Sequence, residues 1–328
     1  FTELPYNGRR EGIRWWIINR IRGSWFSNTD VILFHLGPNL SLGDPLWSAR
    51  ILHTNPQAIK DIHLRFLQSG AEVITTATYQ ASVEGFRRHL GLQTEEAAGL
   101  LQLGVKLAKE AAAEFSFLSS EKKRILIAGS VGPYGAFLHD ASEYTGHYVD
   151  TMSLEELKAW HRQQIQCLES ADIDLIAMET IPSQKEAEAL VELLREFPNT
   201  KAWLSYSCQD EHYTSHGEKF EEAVKVATKS EQLVALGLNC CSPNVVSPFL
   251  TSANKNRCRD IEWIVYPNSG EVWDTHAGWK RRNIERPLAV WALEWIHLGA
   301  KWIGGCCRTT PSDIADLQQM LRPKQAAN

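Results

Sequence analysis

Four of the seven cysteines in this chain fall in two adjacent pairs, Cys240–Cys241 and Cys306–Cys307. Each pair lies at the end of a short apolar run that predicts a strand, at residues 234–240 and 302–306. Gly304 and Gly305 precede the second pair, and glycine lets the backbone turn close to a bound ligand. Three thiolates with a fourth position left to a substrate are typical of a catalytic zinc site, because a structural site takes a fourth protein ligand.

Other interpretations of the cysteines fit the sequence less well. Their spacing excludes a C-x-x-C zinc ribbon. A redox protein that uses Cys306–Cys307 is disfavoured, because adjacent cysteines form only strained disulfides. Cys167, Cys208 and Cys258 lack the context of the two pairs, and we interpret them as buried apolar residues.

The elements that must position the cysteine pairs alternate regularly along the chain. Apolar, β-branched runs predict strands near residues 73–79, 125–130, 175–180, 202–207, 234–240, 261–267 and 302–306. Helical patterns lie between them, for example at residues 55–70, 153–170, 185–195, 218–228 and 288–298. Near-continuous apolar strands separated by helices indicate a parallel sheet that is covered on both faces.

Seven strands are one short of a closed barrel. An open doubly wound sheet is the alternative, but no G-x-G-x-x-G follows the first strand. We expect residues 30–36, an apolar run, to supply the missing strand. The predicted fold is an α/β protein with a single-domain (β/α)8 TIM barrel at residues 43–322, an atypical N-terminal segment at 1–42 and a tail at 323–328.

Composition narrows the class of protein. The chain has 328 residues, 44% of them hydrophobic, and no apolar stretch approaches the length of a transmembrane helix. A net charge of −5 with interleaved signs argues against nucleic acid or a membrane as the partner. An odd number of cysteines without a clear secretory signal favours a reducing, cytoplasmic location. The arginine-rich N-terminal segment also has the composition of a targeting sequence, a minor alternative.

Five motifs occur together in order: Asp44-Pro-Leu-Trp-Ser, Thr75-Thr-Ala-Thr-Tyr79-Gln-Ala-Ser, Met178-Glu179-Thr-Ile-Pro, Gly237-Leu-Asn-Cys240 and Gly304-Gly305-Cys306-Cys307. The set resembles the homocysteine S-methyltransferases, most closely the branch that uses S-methylmethionine or S-adenosylmethionine as methyl donor. The resemblance runs from about residue 43 to residue 322.

The resemblance implies roles for individual residues. It implies that Cys240, Cys306 and Cys307 bind Zn²⁺, with Cys240 chosen over Cys241 because the family ligand follows an asparagine. It also implies that Glu179 holds the amino group of homocysteine. Tyr79 and Asn239 are further substrate-binding candidates, and Gln80 is a pocket candidate.

The expected reaction makes methionine from homocysteine. A thiol with a pKa of roughly 8.5 is mostly protonated at neutral pH, and zinc coordination deprotonates it. The sulfur then attacks the methyl carbon of the sulfonium donor, which leaves as a neutral thioether. Tyr79, Trp203 and Trp273 are candidates for cation–π contact with the donor, and the segment 267–271 for a pocket wall.

One part of the family pattern is absent. Relatives open with a strand carrying Asp-Gly-Gly and then a Thr-Glu-Leu segment, whereas this chain begins at Phe1-Thr2-Glu3-Leu4. The aspartate of that strand is expected to help hold homocysteine, and Asp30 is a poor substitute because it would precede the strand. The alternative function is therefore a catalytically impaired zinc-binding barrel.

Overall fold

The computed structural model describes residues 44–119, 123–255, 260–269 and 286–321, together with the backbone of three short strands at 14–17, 272–274 and 278–280. The strands are β1 Arg14–Ile17, β2 Val73–Thr75, β3 Leu126–Val131, β4 Leu175–Ile181, β5 Ala202–Tyr206, β6 Leu233–Asn239, β7 Glu262–Tyr266, β8 Val272–Asp274, β9 Gly278–Lys280 and β10 Ala300–Ile303. Strands β2 to β7 and β10 form a curled parallel sheet, whereas β8 and β9 form a separate antiparallel pair.

Helices connect the parallel strands. They are α1 Ile51–Thr54, α2 Pro56–Gln68, α3 Val83–Leu90, α4 Thr94–Leu118, α5 Tyr134–Leu138, α6 Leu154–Glu169, α7 Gln184–Leu193, α8 Phe220–Ala227, α9 Val246–Lys255, α10 Leu288–His297 and α11 Pro311–Leu321. Short 3-10 turns lie at Trp47–Arg50, Ser142–Tyr144, His147–Asp150, Leu194–Glu196 and Pro243–Val245. No helix in the described ranges combines the length and the apolar character that a membrane crossing requires.

Local sequence explains where the helices begin. The Asn55 side chain accepts a hydrogen bond from the Ala58 N–H, and Pro56 follows at the first helical position of α2. Ser153 and Glu156 form a capping box at the start of α6. The predicted helices near these caps therefore agree with the structure to within about two residues, the usual uncertainty of a helix boundary.

Strand alternation divides the core into two clusters. On β4, Ile176 and Met178 pack outward against the helices, whereas Leu175 and Ala177 pack inward. The inward cluster also contains Trp203 and the three cysteines of the predicted zinc site. The parallel sheet therefore encloses a small interior of its own, with the polar residues of the site at one end of it.

The first-strand position is filled by β1, which pairs in parallel with both β2 and β10. Trp15 is in register with Ile303, and Trp16 with Val73. The prediction that residues 30–36 fill this position is therefore wrong, and 30–36, including Asp30, lie outside the described residues. Tryptophan and isoleucine have a high β propensity, but a run of four residues is too short to show clear periodicity in the sequence.

Candidate metal and substrate site

The three predicted zinc ligands lie together. Cys240 follows β6 directly, and Cys306 and Cys307 lie shortly after the end of β10. All three side chains are buried, and their sulfur atoms lie within 4.8 Å of one another. The Sγ atoms of Cys240 and Cys307 are 3.5 Å apart, and those of Cys306 and Cys307 are 4.0 Å apart. Cys240, and not Cys241, is the member of the first pair that joins the cluster.

Two of the three sulfur separations fit a tetrahedral zinc ion. Zinc–sulfur bonds of about 2.3 Å place the sulfurs of a tetrahedral site about 3.8 Å apart, between these two distances of 3.5 and 4.0 Å. Burial, together with the neighbouring thiols of Cys240 and Cys307, raises the pKa of Cys306 well above its ordinary value. Three thiolates so close together would repel one another strongly in this buried setting, so their donor set calls for a cation.

The segment after β7 holds both cysteine loops. The Cys240 N–H donates to the carbonyl of Tyr266 (3.2 Å), and the Cys306 N–H donates to the carbonyl of Pro267 (2.8 Å). Asn268 bonds to both loops: its N–H donates to the Cys241 carbonyl, and its side-chain oxygen accepts from the Cys307 N–H. The predicted pocket wall at 267–271 therefore acts, over the described residues 267–269, as a support for the cysteines.

Close backbone packing explains a glycine of the cysteine motifs. A Cβ atom on Gly237 would lie 1.7 Å from the carbonyl oxygen of Ile264 on the neighbouring strand β7. Any side chain there would push β6 and β7 apart and displace Cys240.

Glu179 lies on β4, fully buried, and accepts a hydrogen bond from the Ser130 hydroxyl on β3. Tyr266 links Glu179 to the cysteine cluster, because both Glu179 and Cys306 interact electrostatically with it. Burial raises the pKa of Tyr266 well above its ordinary value, and the charges of Glu179 and Cys306 raise it further. Glu179, the predicted partner of the ammonium, and Cys306, a predicted metal ligand, therefore both interact electrostatically with the Tyr266 hydroxyl.

Asn239 is fully buried at the end of β6, where its amide bonds to Thr180 on β4. The side-chain oxygen accepts from the Thr180 N–H (2.7 Å), and the side-chain nitrogen donates to the Thr180 hydroxyl (2.7 Å). Asn239 is thus brought to the site, with its amide engaged by the protein.

Tyr79 and Gln80 follow β2 and are buried. A Cβ atom on Gly132 would lie 2.7 Å from the Tyr79 ring, so this ring packs tightly on the backbone after β3. The Gln80 side-chain oxygen Oε1 accepts from the N–H (3.2 Å) and the hydroxyl (2.7 Å) of Ser48. Gln80 therefore anchors the segment of the Asp44-Pro-Leu-Trp-Ser motif.

The aromatic candidates for the methyl donor have different surroundings. Trp203 is fully buried in the interior, and its N–H donates to the Tyr266 hydroxyl (2.8 Å), so it packs as a core residue. The Trp273 side chain lies outside the described residues. Trp47 and His139, which were not among the predicted aromatic candidates for the donor, form an edge-on pair with ring centroids 4.1 Å apart.

Tyr144 is a further residue that the sequence analysis missed. Its hydroxyl lies 3.3 Å from the Cys240 sulfur. The loop that carries it is fixed by buried polar contacts: the Ser207 hydroxyl donates to the Glu143 carbonyl, and Glu186 accepts from the Tyr134 N–H and the Tyr148 hydroxyl. The available signal was its place after a predicted strand, on the side where barrel sites form.

Comparisons with known proteins identify the family. The family model of homocysteine S-methyltransferase matches residues 34–321. A betaine-homocysteine S-methyltransferase of Drosophila melanogaster is 44% identical over 292 residues, covering 85% of this chain and 88% of the relative. Homocysteine S-methyltransferase 1 of Arabidopsis thaliana is 42% identical over 291 residues, covering 86% and 88%.

Among solved structures, the metallated form of the homocysteine methyltransferase MmuM from Escherichia coli matches with a TM-score of 0.79 at 34% identity. The match covers 94% of this chain and 96% of that chain. The predicted family and the predicted methyl transfer to homocysteine are confirmed: the chain belongs to the homocysteine S-methyltransferase family.

Proposed function

We propose that this enzyme uses zinc, held by Cys240, Cys306 and Cys307, and takes the methyl group for homocysteine from S-methylmethionine or S-adenosylmethionine. The observation that carries the zinc proposal is the buried cluster of three sulfurs within 4.8 Å of one another, two of whose separations are close to those of a tetrahedral site. When bound there, zinc would supply a Lewis acid that favours the thiolate form of homocysteine at neutral pH.

The residues of the chain position the substrate around this cluster. The Glu179 carboxylate binds the homocysteine ammonium by a charge-assisted hydrogen bond, while the Ser130 hydroxyl holds the carboxylate in place. Tyr79 forms part of the pocket wall, and Asn239 fixes the end of β6 through its two hydrogen bonds to Thr180. The burial of the three thiols keeps water away from the reacting sulfur.

Methyl transfer to homocysteine needs no catalytic acid, because the donor leaves as a neutral molecule. The homocysteine sulfur supplies the electron pair for the new bond to the methyl carbon, and the bond from that carbon to the donor sulfonium breaks. The donor leaves as a neutral thioether, and the thiol proton of homocysteine passes to solvent. Positioning of the two substrates accounts for much of the rate, since alignment alone can supply several kcal/mol.

The architecture that supports this function is a complete, single-domain (β/α)8 barrel. Its support is the pairing of β1 with both β2 and β10, which joins the two edges of the curled sheet. We propose the barrel over residues 43–322 with its first strand drawn from 1–42, and a tail at 323–328. Small molecules as partners and a cytoplasmic location complete the proposal, and the cysteines among the described residues are free thiols.

The alternative of a catalytically impaired barrel has one supporting observation. The strand in the first position reads Arg-Trp-Trp-Ile and carries no carboxylate. Glu179 would then be the strong acidic partner of the homocysteine ammonium, and turnover would be low relative to the family.

One set of assays tests these proposals. Purified full-length protein is analysed for zinc and then assayed for methionine formation with S-methylmethionine, S-adenosylmethionine and betaine as donors. We expect about one zinc per chain and turnover with a sulfonium donor. Betaine is included because it appears in the name of the Drosophila relative, and turnover with betaine alone would contradict the proposed donor class. Zinc without turnover would favour the impaired barrel.

A further inference from the structure

The contact between Asn239 and Thr180 joins two strands that are not neighbours. Strands β4 and β6 are separated in the sheet by β5, and the Asn239 amide crosses this gap with two hydrogen bonds of 2.7 Å each. Asn239 is fully buried, so water does not compete for these bonds. An amide that spans a strand in this way fixes the relative positions of the two strand ends.

Thr180 needs such a contact because its backbone is strained. Its φ angle is +61°, in the left-handed region that β-branched residues avoid. The pairing of β4 with β5 also shifts there: Glu179 is in register with Ser205, and Ile181 with Tyr206. Thr180 is therefore the extra residue of a bulge, a device that redirects neighbouring side chains.

The bulge separates two side chains with different surroundings. Glu179 meets the Ser130 hydroxyl and acts on Tyr266 of the inner cluster, whereas Ile181 packs in the outer core. The Ser207 hydroxyl donates to the Thr180 carbonyl, but the Thr180 N–H is bonded by Asn239. Loss of the Asn239 amide would leave this buried N–H without its partner and let the bulge relax.

Asn239 also precedes Cys240, whose φ angle of +53° lies in the same strained region. We propose that Asn239 is a positioning residue for homocysteine: it acts through the Thr180 bulge to hold the Glu179 carboxylate beside the cysteine cluster, and does not itself touch the amino acid. The inference rests on the proposed binding of the homocysteine ammonium by Glu179.

The test is a double-mutant cycle on the zinc-loaded full chain, with Asn239→Leu, Thr180→Gly and the double variant. Homocysteine affinity is measured by calorimetry, with zinc content and the split between KM and kcat recorded for each protein. Leucine is similar in size to asparagine but cannot bond Thr180. Glycine adopts positive φ without strain, so the bulge no longer depends on the amide.

We expect Asn239→Leu alone to weaken homocysteine binding about tenfold, through KM, with zinc retained. In the Thr180→Gly background the same substitution should cost only about twofold. An equal loss in both backgrounds would show direct contact or general damage and would overturn the proposal. So would a loss of zinc parallel to the loss of homocysteine.

A second comparison keeps the proposal testable if Asn239→Leu fails to fold. Thr180→Val keeps the branched side chain but removes the hydroxyl that accepts from Asn239, so it should bind homocysteine more weakly than Thr180→Gly. Equal affinities, or a weaker glycine variant, would contradict the proposal. Glu179→Gln distinguishes a failure of the proposed role of Glu179 from a failure of the inference about Asn239. If the homocysteine affinity of Glu179→Gln is unchanged, the proposed role of Glu179 fails, whatever the double-mutant cycle shows.

Discussion

The two ends of the parallel sheet are built differently. At the amino ends of the strands lies a partly open cavity of about 480 Å³, lined both by charged residues such as Arg124, Asp174 and Lys201 and by apolar ones such as Leu175 and Trp302. Arg124 is largely exposed there and pairs with Asp174 at 3.2 Å. At the carboxyl ends, Glu179, Asn239 and the cysteines of the cluster are buried among apolar side chains.

Backbone strain follows the same division. Among the described residues, seven that are not glycine have positive φ. Asp172 precedes β4, on the amino side, whereas the other six lie at or beyond the carboxyl ends of strands: Trp47, His139, Ala141, Thr180, Cys240 and Arg308. Strained backbone and buried polar groups are costly to keep, and their concentration at one end indicates that this end carries the function.

The largest effect should come from the cysteine cluster. Cys306→Ser removes one of the three proposed ligands and should weaken metal binding by several kcal/mol, since a zinc site of this kind binds with about 10 kcal/mol or more. Zinc content measured by mass spectrometry and methionine formation should both be nearly lost. Cys167→Ser is the control, since Cys167 lies in the outer core, away from the cluster. Full zinc occupancy in Cys306→Ser would show that the cysteine cluster does not hold the metal, and the main difference between the amino and carboxyl ends of the sheet would be lost.

The next largest effect is the loss of folding stability at low pH. Because this loss affects the whole fold, it hides any pH dependence of the site itself. Burial lowers the pKa of His63, on α2, from 6.5 to about 4. Between these values the unfolded chain binds a proton that the folded chain does not, so stability falls as the pH falls from 6.5 towards 4. The loss amounts to about 3 kcal/mol at the lower limit.

His63→Leu should therefore flatten the fall of the free energy of unfolding over this pH range, measured by urea denaturation. The control is His53→Gln, which replaces an exposed side chain. An unchanged acid dependence in His63→Leu would refute the assignment. If the free energy of unfolding of His63→Leu depends less on pH, this variant allows the pH dependence of homocysteine binding to be measured without unfolding.

A smaller effect is expected at Glu179. Glu179→Gln keeps the shape of the side chain but removes the charge that would pair with an ammonium, at a cost of about 2 kcal/mol in homocysteine binding. Calorimetry with the zinc-loaded protein measures this loss, and the zinc content should not change. Homocysteine bound with undiminished affinity would place its ammonium elsewhere.

The smallest effect should come from the amino end. Asp174→Asn breaks the exposed ion pair with Arg124, but an amide oxygen can still accept from the Ile127 N–H, which Asp174 bonds at 2.8 Å. We expect the free energy of unfolding to fall by less than about 1 kcal/mol. Homocysteine affinity and turnover should equal those of the unsubstituted protein. A tenfold loss of homocysteine affinity or of turnover would show that both ends of the sheet serve the reaction. This result would contradict the assignment of function to the carboxyl end alone.

The sequence predicted regular elements better than irregular ones. The strands containing Leu175 and Ala202 lie where their apolar runs indicated, because a strand buried on both faces has a continuous pattern. Strand β1 was misplaced, because four residues carry little periodicity. The cysteine cluster was predictable because glycines and paired cysteines mark it in the sequence.

The bulge at Thr180 and the contact between Tyr144 and Cys240 were not predictable. Both depend on hydrogen bonds between residues distant in the chain, Thr180 with Asn239 and Tyr144 with Cys240. Neither the φ angle of Thr180 nor the path of the Tyr144 loop is set by local residue types. Asn239 was predicted to bind the substrate, and its bonds to Thr180 came only from the structure.

The support that residues 267–269 give to both cysteine loops has a consequence for biosynthesis. Cys240 leaves the ribosome well before Cys306 and Cys307, and the segment that bonds both loops follows β7, which lies between them in the chain. A metal ion held by all three sulfurs can therefore be captured only after β10 has joined β7. If zinc binds there as proposed, metal uptake by the nascent chain would be a late step, limited to chains in which β10 has already paired with β7.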